Sequence, residues 1–354
     1  MKVAIVGIQG VPAKYGGFES LVENLIGKNC PPQIQYTIYC SSKDYSERLK
    51  KYKGAVLKYI PLHANGIQSI PYDMLGLLRS VRDYDTVMVL GVSGCLFLPI
   101  FRLFYRRRLI INIDGLEHRR AKWGKLARWV LRKSEAMAVR FADVVIADNK
   151  GIQDYIWAIY HKPSELIAYG GDHVLRDVPE GKQQDILKQY GVVVDNYAIT
   201  VCRIEPENNS RMILEAFSHT EVNIIFIGNW DHSDYGRSLK KEFGNKSNIH
   251  CIDAVYDLDT LYTLRANAAY YIHGHSAGGT NPSLVEAMFF GKPVLAYNVV
   301  YNRETTNNQA YYFSTSTELQ QLLECANLDG SSMKTYAMRH YTWRHIAKQY
   351  EDLY

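Results

Sequence analysis

At 354 residues, with 47% apolar and 22% charged residues, the chain has the composition of a globular protein with room for two domains, each with its own core. Six scattered cysteines without a C-x-x-C pair argue against a disulfide framework or zinc module and point to a reducing cytoplasm. The net charge of +5 is uneven: residues 102–133 hold eleven Lys and Arg against two acids, a local +9 on an otherwise acidic chain that calls for a partner of its own.

In chain order, MKVAIVG reads as a buried first strand that starts at once, so no leader is expected. The loop after it, IQGVPAKYGGFE, has the wrong glycine spacing for the dinucleotide fingerprint, but its closing Gly16-Gly17 lets a backbone approach phosphates. A helix follows over 20–28, with Leu21, Leu25 and Ile26 on one face, then strands near 35–40, 55–59 and 86–90. Asp83-Tyr84-Asp85 spells a metal-binding D-x-D, yet it stands at the start of a strand, where solvated carboxylates are the expectation. The longest apolar run, 86–101, is broken by Gly91, Ser93, Gly94 and Pro99 and falls short of a spanning helix.

Segment 96–108 joins apolar aromatics to Arg106, Arg107 and Arg108, and 119–133 reads as a basic helix carrying Lys122, Trp123, Arg128 and Trp129. Cations interleaved with tryptophans suit an anionic bilayer surface. Nucleic acid is the competing partner, but no recognised nucleic-acid motif is present, so none is expected; a solvated helix face is the plainer alternative. Between these segments a strand ends at Asp114, followed by Glu117 and His118. A carboxylate at a parallel strand's carboxyl end stands where open α/β sheets bind ligands, and helix capping is its other reading.

IAYGGD, 167–172, is a glycine-containing hinge. Beyond it come a strand over 196–203, ending in Arg203, then IEPENN and a helix over 211–218. A guanidinium there can grip phosphate bidentately. Strands near 224–228 and 249–251 and a helix over 257–265 follow. Segment 270–297 is the most informative: a strand, a turn containing Gly278 and Gly279, the N-cap Asn281, Pro282, and a helix over 283–290 stopped by Gly291 and Pro293. Gly279, Thr280, Asn281, Ser283 and Leu284 then surround a helix N-terminus suited to an anion, and Glu286 lies one turn in, placed for sugar hydroxyls. His273 and His275 have metal-like spacing but no third ligand; a hydrogen bond from His275 to donor sugar or phosphate is the expectation. The tail carries Trp343, Ile346, Tyr350 and Leu353 at helical spacing.

GGTNPSLVEAMFFGKPVLA resembles the donor-binding segment of family-4 glycosyltransferases of the GT-B fold. Glu286 matches the second glutamate of that family's Glu-x7-Glu motif, which implies a ribose contact, while Gly278 stands in place of the first. The R-x-x-P-E-x-N run from Arg203 resembles the family's diphosphate motif with Asn208 at a lysine position, so that one cation is missing or supplied from elsewhere, Lys14 being a candidate. GVPAKYGGFE, the D-G-x-E at 114–117 with its basic K-W helix, and FADVVIAD are similar to capsule and cell-wall rhamnosyltransferases, which carry Trp where this chain has His118.

The resemblance spans essentially the whole chain. It implies two Rossmann-like α/β domains, 1–168 and 172–338, facing each other across a cleft, with a terminal helix over 339–354 returning to the first. It implies a retaining, metal-independent transferase without cofactor that moves a sugar from a dTDP- or UDP-linked donor, L-rhamnose first, to a lipid-linked saccharide at the cytoplasmic membrane face. Arg203, Asp114 and Glu117 are the implied catalytic residues; Gly16, Gly17, His275 and Glu286 join the donor site; His118 and the basic-aromatic residues face acceptor and membrane. A GT-B nucleotide-sugar epimerase and a catalytically silent partner in polysaccharide assembly are the alternatives.

Overall fold

The computed structural model describes every residue except Tyr15, 28–30, Glu117, 119–123 and Ala326. Its strands are short apolar runs, and most are buried along nearly their whole length, as parallel strands covered on both faces must be. β1 (Lys2–Val6), β2 (Gln35–Ser41), the two-residue β3 (Lys51–Tyr52), β4 (Ala55–Ile60), β5 (Thr86–Leu90), β6 (Arg108–Asn112), β7 (Val144–Ala147) and β8 (Glu165–Leu166) make one sheet in the order β3-β4-β2-β1-β5-β6-β7-β8. Only β3 pairs antiparallel, on the β4 edge. β9 (Tyr197–Val201), β10 (Asn223–Ile227), β11 (Ile249–Ile252), β12 (Tyr270–His273), β13 (Val294–Tyr297) and β14 (Tyr311–Phe313) make a second, wholly parallel sheet in the order β11-β10-β9-β12-β13-β14.

The chain divides into two compact units: Met1–Tyr169 with Trp343–Tyr354, and Gly170–Thr342. Among the parallel strands of each sheet the order reverses direction once, between β1 and β5 in the first unit and between β9 and β12 in the second. Open α/β sheets bind ligands outside the carboxyl ends of the strands at such a reversal. In the second unit those strand ends carry the loops after Val201 and after His273, the two segments singled out from the sequence.

The terminal helix expected over 339–354 is in fact two. Ser331–His340 ends the second unit, where the Tyr341 hydroxyl donates to Thr305 O (2.9 Å) and its carbonyl accepts from Gly171 N (2.8 Å). These bonds hold Tyr341 out of a continuous helix. Trp343–Glu351 starts afresh, and Trp343, Ile346, Ala347 and Tyr350 enter the first unit's core beside Leu21 and Leu25. The first helix runs Gly17–Leu25 rather than 20–28, and of the basic helix expected over 119–133 the described part belongs to a longer helix, Lys125–Phe141, residues 119–123 lying outside the described residues. Among the described residues no helix is long and apolar enough to cross a membrane.

Candidate functional site

The loops after β9 and β12 are joined by hydrogen bonds between residues 207–209 of the first and 274–276 of the second. Asn209 Nδ2 donates to Gly274 O (2.8 Å), and the Ser276 amide and hydroxyl both donate to Glu207 O (2.8 and 2.9 Å). Asn208, buried, donates from Nδ2 to Arg203 O (2.7 Å) and meets His275 Nδ1 with Oδ1 (2.7 Å). Since a carbonyl can only accept, this fixes the amide's orientation and makes His275 Nδ1 the protonated ring nitrogen. Gly274 is required by the closeness of the loops: a Cβ there would lie 2.1 Å from Asn208 O. Asn208, which stands where a lysine was expected to bind phosphate, is thus a structural tie between the loops. The Arg203 side chain is one-third exposed and meets Glu205 Oε1 at 3.6 Å.

After Gly279, at φ +92°, and the buried Thr280, Asn281 caps the Pro282–Met288 helix. This helix is two residues shorter at its end than expected. Asn281 Oδ1 accepts from Ser283 N (3.0 Å) and Ser283 Oγ (2.8 Å), and Asn281 O accepts from Leu284 N (3.0 Å). The amides of Ser283 and Leu284 are therefore used by the cap, and the Leu284 side chain is core. Glu286 is bound to residues the sequence did not point to. Its Oε2 lies 2.7 Å from the guanidinium of Arg265, and His173 Nε2 is 3.5 Å from Oε1. Burial pushes the Glu286 carboxyl up, but Arg265 and His173 outweigh it and the net shift is downward. His273 behaves differently from His275: burial, with His275 beside it, pushes its imidazole well down, and its Nε2 has no partner among the described residues.

In the first unit the loop after β1 is braced from its own helix. Glu19 Oε1 accepts from Gln9 N (2.8 Å), Glu23 accepts from Ala13 N, and Gly16, at φ +122°, leaves room for Glu19, whose Oε2 would be 2.0 Å from a Cβ. Gly17 opens the helix itself. Lys14 Nζ donates to Asp44 O (3.0 Å) and lies over the Tyr45 ring. Asp114, at φ +62°, takes the amide-to-Asn112 Oδ1 bond of a chain that continues from Asn112 Nδ2 to the Tyr350 hydroxyl (both 3.0 Å). Glu117, Lys122 and Trp123 lie outside the described residues. His118 is not presented outward as a membrane contact: its Nδ1 is 3.0 Å from the buried carboxylate of Glu135. Arg107 pairs with Asp85 at 3.1 Å, and Asp85 also accepts from Lys2 N, so this aspartate ties strand starts together. Arg106, Arg108, Arg128 and Trp129 are exposed.

Residues 1–172 match a family model described as a domain of unknown function, DUF1972, and residues 183–324 match the model of glycosyl transferases group 1. Sucrose-phosphate synthase from Thermosynechococcus elongatus superposes with a TM-score of 0.82 at 15% identity, covering 100% of this chain and 98% of its own. Anabaena Alr3699/HepE in complex with UDP-glucose gives 0.77 at 16%, covering 99% and 98%. A glycosyltransferase from Rickettsia africae gives 0.74 at 12%, covering 99% and 97%. The fold is that of the GT-B glycosyltransferases. No curated protein sequence matches the chain.

In this GT-B chain the group 1 match spans both joined loops and Glu286. Arg265, Asn209 and His173 went unread because their partners lie far off in sequence. One signal was available for Arg265: an arginine in the last turn of an otherwise ordinary helix, Leu258–Ala266, just before β12. Among the described residues no group of three or more His, Cys, Asp or Glu gathers as a metal site.

Proposed function

We propose that this chain transfers a sugar, with retention of configuration, from a nucleoside diphosphate donor to a saccharide acceptor carried on a lipid. The observation that carries the reading is the joining of the loops after β9 and β12 at the second unit's strand reversal, with Arg203 on one loop and Glu286 close behind the other. Arg203 is suited to the charge that builds on the departing diphosphate, and Glu286, ionised by Arg265, to the ribose hydroxyls. The donor's phosphate accepts the acceptor's proton, so neither a strong enzymic base nor a metal or cofactor is needed. L-Rhamnose from dTDP-rhamnose is the first donor to test, with UDP-glucose, the ligand named with Alr3699/HepE, beside it.

A thermal-shift series with UDP, dTDP, GDP and ADP, with and without Mg²⁺, tests the donor site. A ligand that binds only the folded protein stabilises it by about 2.7 kcal/mol at a hundredfold excess over Kd. Metal-independent stabilisation by dTDP is the expected result; a UDP preference would replace the sugar and keep the reaction, and no response to any nucleotide would overturn the reading.

The acceptor side of the proposal rests on the two packed helices Leu98–Phe104 and Lys125–Phe141, bridged by Arg102 Nε donating to Phe141 O (2.9 Å). Leu103 and Phe104 are each 69% exposed and Trp129 60%, with Ile100, Leu126, Arg106, Arg108 and Arg128 also exposed. Such a surface suits the inner, anionic leaflet of the plasma membrane, each nearby cation adding about 1 kcal/mol. The Phe104→Ser/Trp129→Ser protein should bind phosphatidylserine vesicles at least about tenfold more weakly, since each aromatic buried is worth about 1.5 kcal/mol or more. Equal flotation of wild type and variant would remove the membrane from the proposal.

A further inference from the structure

Glu135 of the Lys125–Phe141 helix is a carboxylate only 2% exposed, and nothing above gives it a role in transfer. Among the described residues its oxygens meet three donors. Oε1 accepts from the hydroxyls of Tyr155 and Tyr160 (both 2.7 Å), and Oε2 lies 3.0 Å from His118 Nδ1. A carboxylate buried this deeply costs several kcal/mol unless its lone pairs are met. Burial, with Glu135 beside it, holds the Tyr160 phenol far above its ordinary value, so Tyr160 stays a donor throughout the usable pH range. The His118 and Tyr155 rings lie 6.2 Å apart, and Tyr155 meets Tyr160 edge-on.

This arrangement has a chemical consequence at the imidazole. Because the carboxylate accepts, the proton of the neutral ring sits on Nδ1, and Nε2, on the far side of the ring, is an acceptor of fixed direction. The His118 side chain keeps 13% of its surface exposed, against 3% for Glu135, so of the pair it is the histidine that borders solvent. His118 follows β6, at the same sheet edge as Asp114. An oriented acceptor nitrogen there matches an O–H group.

We propose that His118 binds a hydroxyl of the saccharide acceptor through Nε2, with Glu135, Tyr155 and Tyr160 as positioning residues that fix its ring. The inference deepens the transfer reading and rests on it for the identity of the ligand as an acceptor. No proton transfer is required of the ring; it accepts a hydrogen bond and sets the direction of the hydroxyl oxygen.

The test uses the full chain labelled with ¹⁵N-histidine and, as lipid-linked saccharide surrogates, octyl β-glucoside, octyl β-galactoside and octyl N-acetyl-β-glucosaminide below their micelle concentrations. His118 ring signals are assigned from their loss in His118→Gln. Wild type should show one tautomer, protonated at Nδ1, with the Nε2 signal moving as one of the glycosides saturates. Glu135→Gln should lose the single tautomer and bind that glycoside about tenfold more weakly, the worth of about one well-directed hydrogen bond, with nucleoside diphosphate stabilisation unchanged. Should Glu135→Gln fail to fold, Tyr160→Phe, which keeps the carboxylate and two donors, is expected to weaken glycoside binding about threefold. A His118 signal unmoved by all three glycosides overturns the proposal, as does unchanged affinity in the folded positioning variant. A glycoside response without any nucleotide response would sink the transfer reading and leave the hydroxyl site standing; the reverse would sink the site alone.

Discussion

Arg203→Ala is expected to lower turnover by about 10²–10³-fold, the loss seen when one group stabilising transition-state charge is removed, with little change in thermal stability. The geometry separates the two effects. The Arg203 carbonyl, not its side chain, accepts the Asn208 bond that ties the loops, so alanine leaves the joint intact. The guanidinium itself is one-third exposed and makes a loose contact with Glu205, and pairs of that kind contribute at most about 1 kcal/mol. Arg203→Lys keeps the charge and loses the two-pronged geometry, so its turnover should fall between alanine and wild type. Steady-state transfer together with a melting curve decides the matter. Normal turnover in the alanine variant would take the diphosphate away from Arg203; a parallel collapse of stability and activity would make it a structural residue.

Arg265→Met should cost stability rather than turnover alone. Arg265 is 6% exposed and its partner Glu286 17%, so the substitution leaves a mostly buried carboxylate without its main counter-charge, a loss of about 3 kcal/mol or more. The pH dependence identifies the cause. In the native protein Glu286 titrates below the ordinary glutamate value of 4.5. Its charge therefore stabilises the fold above that pH, and the contribution is lost as pH falls through the native value. Without Arg265 burial dominates, the carboxyl rises, and the sign reverses: the variant gains relative stability on acidification. Urea unfolding of both proteins at pH 7 and pH 4.5 should show a difference that is largest at pH 7 and shrinks at pH 4.5. A difference that does not vary with pH would mean lost packing, not lost charge. Nucleotide affinity should fall in the same variant, because only His173, 3.5 Å away, then helps to hold Glu286 ionised and aimed.

What the sequence revealed was local. Strands announced themselves as apolar runs, and segment 270–297 was readable because its cap, its proline and its stop glycine all lie within a few residues of the helix they delimit. What it concealed depends on which strands become neighbours. β9 and β12 are adjacent only because the strand order reverses there, and that adjacency brings Asn208 to His275 across 67 positions. A lysine-to-asparagine departure that reads in sequence as a lost phosphate contact is, in three dimensions, a hydrogen-bonded tie. His118, read as facing acceptor and membrane, has a partner that was hidden for the same reason. Beside a basic, aromatic segment it looked like part of a membrane face, whereas its partner Glu135 projects from the buried side of the helix that follows. Helix ends were the least legible feature: Gly17 would ordinarily be a poor first helical residue, but Glu19 and Glu23 reach back to loop amides and hold the start in place.

The Trp343–Glu351 helix sets an order on biosynthesis. The second unit is a single unbroken stretch, Gly170–Thr342, and all of it has been translated before Trp343 is added. The first unit begins earliest but cannot close its core until Trp343, Ile346 and Tyr350 arrive to cover Leu21, Leu25 and their neighbours. The half of the protein made first is therefore the half finished last, and during translation its apolar helix face waits uncovered while the whole of the other unit is being made.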